Sequence, residues 1–349
     1  MRRLLSAFFL AVLLNGIVCA AAPAPLPAPI NPANFAKAVA YSRAHGGLAL
    51  RVEQGGKVIF EDYAPGYSAT TPHKIYSGTK SFVAVAAMIL AEKNVIRLDE
   101  PASDILTEWK NDARRTITIN QLLSQTSGLD PNDDPINNAH DGLAAAVQIH
   151  LVSAPGTKFH YGAAGYQAFG EILHRKLGGF GDAVEKSVTH LVLDPYDIKL
   201  DGWVKDDAGN VLVHAGMIMS AEQWAKFGEA VMRPRHPLDH SRPGFGFDQL
   251  FIGHAANPAY GLGFWLNAPQ HSPRHQPISD LLPASDGDQL YPGGPRDLVC
   301  AMGTGKQRLY IIPSQQLVIV RFTNNASFSD GDFLSRLLTG KPHPDKHTH

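Results

Sequence analysis

Cysteine is nearly absent from this sequence. Two stand in 349 residues, Cys19 and Cys300. Cys19 falls in an N-terminal segment expected to be removed, so Cys300 is left alone and no disulfide framework supports the fold. Its neighbours Leu298, Val299, Ala301 and Met302 mark it as a buried thiol without an activating cation. An excess of charge is missing as well. Lys and Arg number 31 against 32 Asp and Glu, a net charge of −1. No electrostatic footprint for nucleic acid or an acidic membrane is visible. The expected ligand is a small molecule held by shape and a few polar groups. Long apolar runs are also lacking. The run Leu4 to Val18 is broken by Ser6, Asn15 and Gly16 and is short for a membrane span.

That run follows Arg2 and Arg3 and precedes small residues from Cys19 to Ala22. The pattern predicts an export signal over residues 1–20, with Val18-Cys19-Ala20 as the cleavage site. The expected location is periplasmic or secreted, with no stable membrane insertion after signal removal. An uncleaved anchor is one alternative. Lipid attachment at Cys19 is another, although Val18 fits that pattern poorly. Residues 21–33 are rich in Pro and Ala and read as an extended tether.

What is present suits a folded enzyme-sized domain. Hydrophobic residues make up 44% and charged residues 18%, a globular balance, and the length allows one large core. A short helix is predicted over Asn34 to Arg43. Gly47 to Glu53 and Lys57 to Tyr63 read as strands around the hairpin signal Gln54-Gly55-Gly56. Ser77 to Asn94 reads as a helix apolar almost all round, hence buried. Thr118-Ile119-Asn120-Gln121 has the form of a capping box. Ala164 to Leu177 and Ala221 to Met232 are further helices. Arg308 to Ile312 and Gln316 to Phe322 are strands, and Phe328 to Leu338 is a closing helix. Strands at both ends with helices between predict an α/β (α+β) fold. One antiparallel sheet is flanked by helices, with a mainly helical lobe inserted. The expected division is a single domain over 34–340, with an α/β lobe from 34–75 and 265–340 and a helical lobe from 76–264. Residues 341–349 are expected to form a disordered tail.

The chemistry begins at Ser77-Gly78-Thr79-Lys80. A serine hydroxyl is a weak nucleophile until a base takes its proton. A lysine becomes that base when burial and a helix N-terminus depress its pKa. At i and i+3 on one helix face the two side chains come within reach. The spacing alone also fits a capping serine and a solvated lysine; a buried helix and further motifs decide the matter. Pro155-Gly156 leads to Tyr161 at a loop-to-helix junction, where its hydroxyl could relay protons with Lys80. Gly303-Thr304-Gly305-Lys306 leads into a strand, and glycines there let a substrate approach the backbone. The main-chain N–H groups of Ser77 and Gln307 are the expected oxyanion donors.

These pieces, in this order, resemble the serine hydrolases of the β-lactamase-like, penicillin-recognising group. The likeness is to the class C β-lactamase and esterase branch, and within it to 6-aminohexanoate-dimer-hydrolase-like proteins. Leu98-Asp99-Glu100-Pro101, the block Thr116 to Leu129, Asp201-Gly202-Trp203 and Tyr260 to Trp265 agree as well. The resemblance implies Ser77 as the nucleophile of an acyl-enzyme, Lys80 and Tyr161 as its proton carriers, and no metal or cofactor. It also implies substrate contacts at Ala163, Gly303, Thr304, Gly305 and Lys306. Two positions depart from the family pattern. Ala163 stands where Tyr-x-Asn places an asparagine, and Gly303-Thr304-Gly305 lacks the cation of Lys-Thr-Gly or His-x-Gly. Both changes remove groups that recognise β-lactams and peptide carboxylates. The expected activity is therefore hydrolysis of a small ester or amide. A D-amino-acid peptidase or β-lactamase is the enzyme alternative, and a non-catalytic binding protein on the same fold is the other. His236 and His240 have metal-like spacing but sit among prolines. His160 reads as packing or solvent contact, and Asp130 to Asp134 lacks the glycine and glutamate of a calcium loop.

Overall fold

A computed structural model of the chain describes residues 27–178, 182–233, 248–269, 289–325 and 327–344. The expected signal segment, residues 21–26 of the tether, His236, His240 and the last five residues lie outside them.

The chain begins with α1 (Pro32–Ala44), where Asn31 caps by accepting from the Ala33 N–H. It continues through β1 (Gly47–Gln54), β2 (Lys57–Tyr63) and the short β3 (His73–Lys74). A single 3₁₀ turn over Tyr76–Gly78 then opens α2 (Thr79–Glu92). Five helices follow: α3 (Ile119–Leu123), α4 (Asp134–Asn137), α5 (Gly142–Gln148), α6 (Ala164–Lys176) and α7 (Ala183–Val188). Next come β4 (Gly202–Trp203), β5 (Met217–Met219), α8 (Ala221–Met232) and β6 (Trp265–Leu266). The chain closes with β7 (Val299–Gly303), β8 (Gln307–Ile312), β9 (Leu317–Thr323) and α9 (Asp330–Thr339).

The main sheet has six strands in the order β2-β1-β9-β8-β7-β6. All its pairings are antiparallel. The two ends of the chain meet at its centre, where Leu50 lies opposite Arg321 and Val52 opposite Ile319. A sheet assembled from both termini is the architecture the strand positions predict, and the α/β fold holds. One sheet face packs on α1 and α9 through Phe35, Leu50, Tyr310, Ile319, Phe333 and Leu334. The other carries Val318, Val320, Phe322 and Leu309 into the larger core, which runs on into the helices. The Thr118 capping box forms as expected, with both reciprocal bonds present.

Several details differ from the sequence expectations. The helix α8 lies on the sheet rather than with the inserted helices, because Trp224 stacks on Phe322 of β9 at 5.7 Å. It also meets α2, with Phe82 and Phe227 stacked at 3.7 Å. A second sheet, β3-β5-β4, has strands of two or three residues, too short for periodicity to reveal. At the C-terminus the expected tail begins in contact with the body: His343 Nε2 lies 3.1 Å from the Pro292 carbonyl.

Candidate active site

The nucleophile candidate sits where β3 turns into α2. Tyr76 is held at φ +48, a left-handed conformation that costs a non-glycine residue about 1–3 kcal/mol. The hydroxyl of Thr79 fixes this turn from both sides. It donates to the Tyr76 carbonyl at 2.7 Å and accepts from the Met217 N–H at 3.0 Å. Ser77 follows, 9% exposed, and the first turn of α2 places Lys80 beneath it, 2% exposed.

Lys80 Nζ lies 3.2 Å from Ser77 Oγ and donates to the His214 carbonyl at 3.0 Å. The amine is also 4.7 Å from the centre of the Tyr161 ring. Burial pushes the Lys80 pKa down to about 8, against a weaker opposing pull from Asp133. Tyr161 stands two residues ahead of the α6 N-cap, in an aromatic group with Phe159, Tyr260 and Trp265. Burial raises its phenol above the ordinary value, while a hydrogen bond with Ser77 pulls the other way. The three residues singled out by spacing and likeness are therefore together, in one small polar spot enclosed by aromatic rings. Chemically, such a set can remove a proton from a hydroxyl and hand it on without a metal. Among the described residues no group of three or more His, Cys, Asp or Glu is arranged to hold a metal ion.

A family profile for the beta-lactamases matches residues 33–339. The chain belongs to the beta-lactamase family. Among curated relatives it is 32% identical over 168 residues to protein flp of Staphylococcus aureus (strain MW2), a match covering 42% of this chain and 32% of that one. The match thus spans about a third of the length of that relative. Solved structures share the fold at lower identity. A provisionally assigned beta-lactamase from Bacteroides dorei DSM 17855 superposes with a TM-score of 0.68 at 16% identity, covering 89% of this chain and 99% of the other. A provisionally assigned 6-aminohexanoate-dimer hydrolase from Bacillus anthracis gives 0.65 at 19% identity, covering 90% and 86%. EstCE1, a hydrolase with promiscuous acyltransferase activity, gives 0.64 at 17% identity, covering 87% and 96%.

The remaining expected positions divide. Gly303 ends β7 directly against the nucleophile turn: a Cβ there would stand 2.1 Å from the Ile75 carbonyl oxygen. Thr304, next along, is exposed. Gln307 is 2% exposed and lies opposite Gly303 in the hairpin. Thr304 is the more open of the two positions for a second oxyanion donor. The Gln307 side chain ties the hairpin to β9 and β3, accepting from Thr323 N at 3.0 Å and meeting His73 Nε2 at 3.1 Å. Lys306 is also 2% exposed, and its charge helps to lower the pKa of Asp330 of α9. Gly305 takes φ +74 within this turn. Ala163 is fully buried, and its N–H is taken by Asp133 Oδ1 at 2.6 Å. Its methyl group therefore packs in the interior instead of lining an open subsite. His160 contacts Ser153 Oγ at 2.9 Å, away from the lysine. Cys300 is wholly buried and its thiol pKa lies well above the ordinary value, as an inert thiol should.

Sequence reasoning missed three contributors. His214 acts through its main-chain carbonyl, which no side-chain motif reports. Gln167 Oε1 holds that loop by accepting from the Val213 N–H at 2.6 Å. Asp133 lies within the acidic stretch set aside as unsuited to calcium, and only the folded chain brings it beside Tyr161.

Proposed function

We propose that this protein is an exported serine hydrolase that cleaves a small ester or amide through an acyl-enzyme at Ser77. The observation that carries the reading is the buried contact of 3.2 Å between Lys80 Nζ and Ser77 Oγ. Neutral Lys80 takes the hydroxyl proton as Ser77 Oγ attacks the substrate carbonyl. The oxyanion is held by the N–H of Ser77 and that of Thr304, the exposed residue just after β7. Tyr161, kept neutral by burial, gives its proton to the leaving group and recovers one from Lys80. Water then enters, and the same groups in reverse order release the acid. The N-terminal pattern supports export, which signal cleavage during secretion would test.

The missing third-segment cation argues for simple esters over β-lactams and peptide carboxylates. Amide nitrogen is a poorer leaving group and depends more on alignment. The decisive experiment is labelling with a fluorophosphonate probe, followed by turnover of matched nitrophenyl esters and anilides. Ser77→Ala should abolish labelling and turnover and keep the fold. A native protein that resists the probe would be a binding protein on this fold, and labelling at a different serine would move the nucleophile. Faster cleavage of the anilide than of its ester would overturn the ester preference alone.

A further inference from the structure

Asp133 immediately precedes α4, where an aspartate ordinarily caps the helix by accepting from its first N–H groups. Its carboxylate makes no such bond. It turns toward the loop that carries Tyr161, where Oδ1 accepts the Ala163 N–H at 2.6 Å. A Cβ on Gly162 would come within 3.1 Å of the same oxygen and 2.8 Å of the Pro131 carbonyl oxygen. Glycine at 162 is what lets the carboxylate rest there. The residue remains partly exposed. Its negative charge acts on both Lys80 and Tyr161, and its bond to Ala163 holds it to the loop two residues beyond Tyr161.

Neither lysine of the two motifs offers the opposite sign to a ligand there. Lys80 is 2% exposed and committed to Ser77 and the His214 carbonyl. Lys306 is 2% exposed, and its charge acts on Asp330. Among the described residues no cation lies within ion-pair distance of Asp133. A single neutral N–H leaves a carboxylate with most of its hydrogen-bonding capacity for a ligand. In a cleft with low-dielectric walls, such a lone charge selects by sign.

We infer that Asp133 is a specificity-determining residue, whose carboxylate beside the Tyr161 loop favours substrates bearing a cationic amine and turns away those bearing a carboxylate. This inference rests on Ser77 being the nucleophile. The ligand's ammonium would replace solvent at the open carboxylate oxygen with a charge-assisted hydrogen bond. A substrate carboxylate would meet like charge at Asp133.

The test uses nitrophenyl esters matched in acyl length and ending in an ammonium, a methyl or a carboxylate, in a short and a long series. On the native protein kcat/KM should fall in that order. The ammonium-to-carboxylate ratio should be about tenfold or more at low salt and should shrink with added sodium chloride. Asp133→Asn keeps the shape and the acceptor for Ala163, and its ratio should fall close to one. Ratios taken within one protein cancel any change that the substitution makes at Lys80. A native ratio near one, or an unchanged ratio in Asp133→Asn, overturns the assignment of Asp133. Should that variant fail to fold, the native ratio and its salt dependence decide the matter. Ser77-dependent turnover of the methyl ester without charge ordering sinks Asp133 alone. Absence of Ser77-dependent turnover sinks the hydrolase reading with it.

Discussion

The amine of Lys80 lies 3.0 Å from the main-chain carbonyl oxygen of His214. A neutral amine has two N–H groups and one lone pair. With one N–H directed at that carbonyl, the lone pair is available to the Ser77 hydroxyl 3.2 Å away. The carbonyl orients the base without adding a full negative charge, which would hold the proton on the lysine. The imidazole of His214 adds no positive charge, since burial and the Lys80 charge push its pKa down to about 3 and keep it neutral. Orientation and basicity are thus supplied by different atoms.

A pH profile should expose this arrangement. Burial brings the Lys80 pKa down to about 8, and the base works only when deprotonated. Log kcat/KM for a nitrophenyl ester should rise with pH and level off near that value. Lys80→Ala should remove this limb and cost about two to four orders of magnitude, the usual scale for a general base. Tyr161→Phe should lower the rate about a hundredfold yet keep the limb. A limb lying above pH 10 in the native protein would make Tyr161 the titrating base, and one that survives in Lys80→Ala would remove lysine from the role.

Much of this arrangement is legible in the sequence, for definite reasons. Ser77 and Lys80 are three residues apart on a helix whose apolar side chains surround it, so local geometry and burial follow together. Tyr161 is found by its position ahead of the small residues that open α6. The strands β1, β8 and β9 are long enough to show β-forming runs. What stays hidden depends on tertiary placement. Trp224 assigns α8 to the sheet through one ring contact. Asp133 is recruited by a backbone N–H thirty positions later in the chain. Gln307 and Lys306 follow the glycines of the third segment in sequence, but the tight β7–β8 hairpin turns both inward.

The back of the sheet predicts a pH dependence of stability. Glu229 of α8 is 8% exposed, and one carboxylate oxygen has no hydrogen-bond partner among the described residues. Burial first, and the neighbouring Glu53 second, raise its pKa from 4.5 to about 7. A carboxyl with a raised folded pKa binds its proton more tightly in the native state. Its contribution is full below pH 4.5 and is lost as pH rises through about 7; in that window the native state holds more protons than the unfolded one. Urea denaturation of the native protein and Glu229→Gln between pH 4.5 and 8 isolates the effect. The native protein should lose stability relative to the variant as pH rises. A constant difference across the window would show that Glu229 does not titrate there.

The contact between Gly303 and Ile75 gives the sharpest test of how the site is held. Ile75 is two residues before Ser77, and its carbonyl accepts the Gly78 N–H at 3.0 Å. A Cβ at position 303 would stand 2.1 Å from that oxygen, far inside any allowed contact. Neither β7 nor the turn is an adaptable side-chain end, so backbone must move. Gly303→Ala should therefore cost about 1–3 kcal/mol, the usual range for overpacking. The displaced turn should also cost activity, since an error of about 1 Å in position lowers a rate roughly a hundredfold. Gly202→Ala is the matched control. Its Cβ would meet Ile218 Cδ1 at 3.6 Å, an ordinary contact, in a strand outside the site. That variant should keep native kcat/KM and stay within about 0.5 kcal/mol in stability. Probe-labelling rate and urea midpoint measured on both variants read out the two effects separately. If Gly303→Ala labels at the native rate with a native midpoint, β7 does not support the nucleophile turn as described. If it loses stability while labelling normally, the contact is structural and the oxyanion donor lies elsewhere.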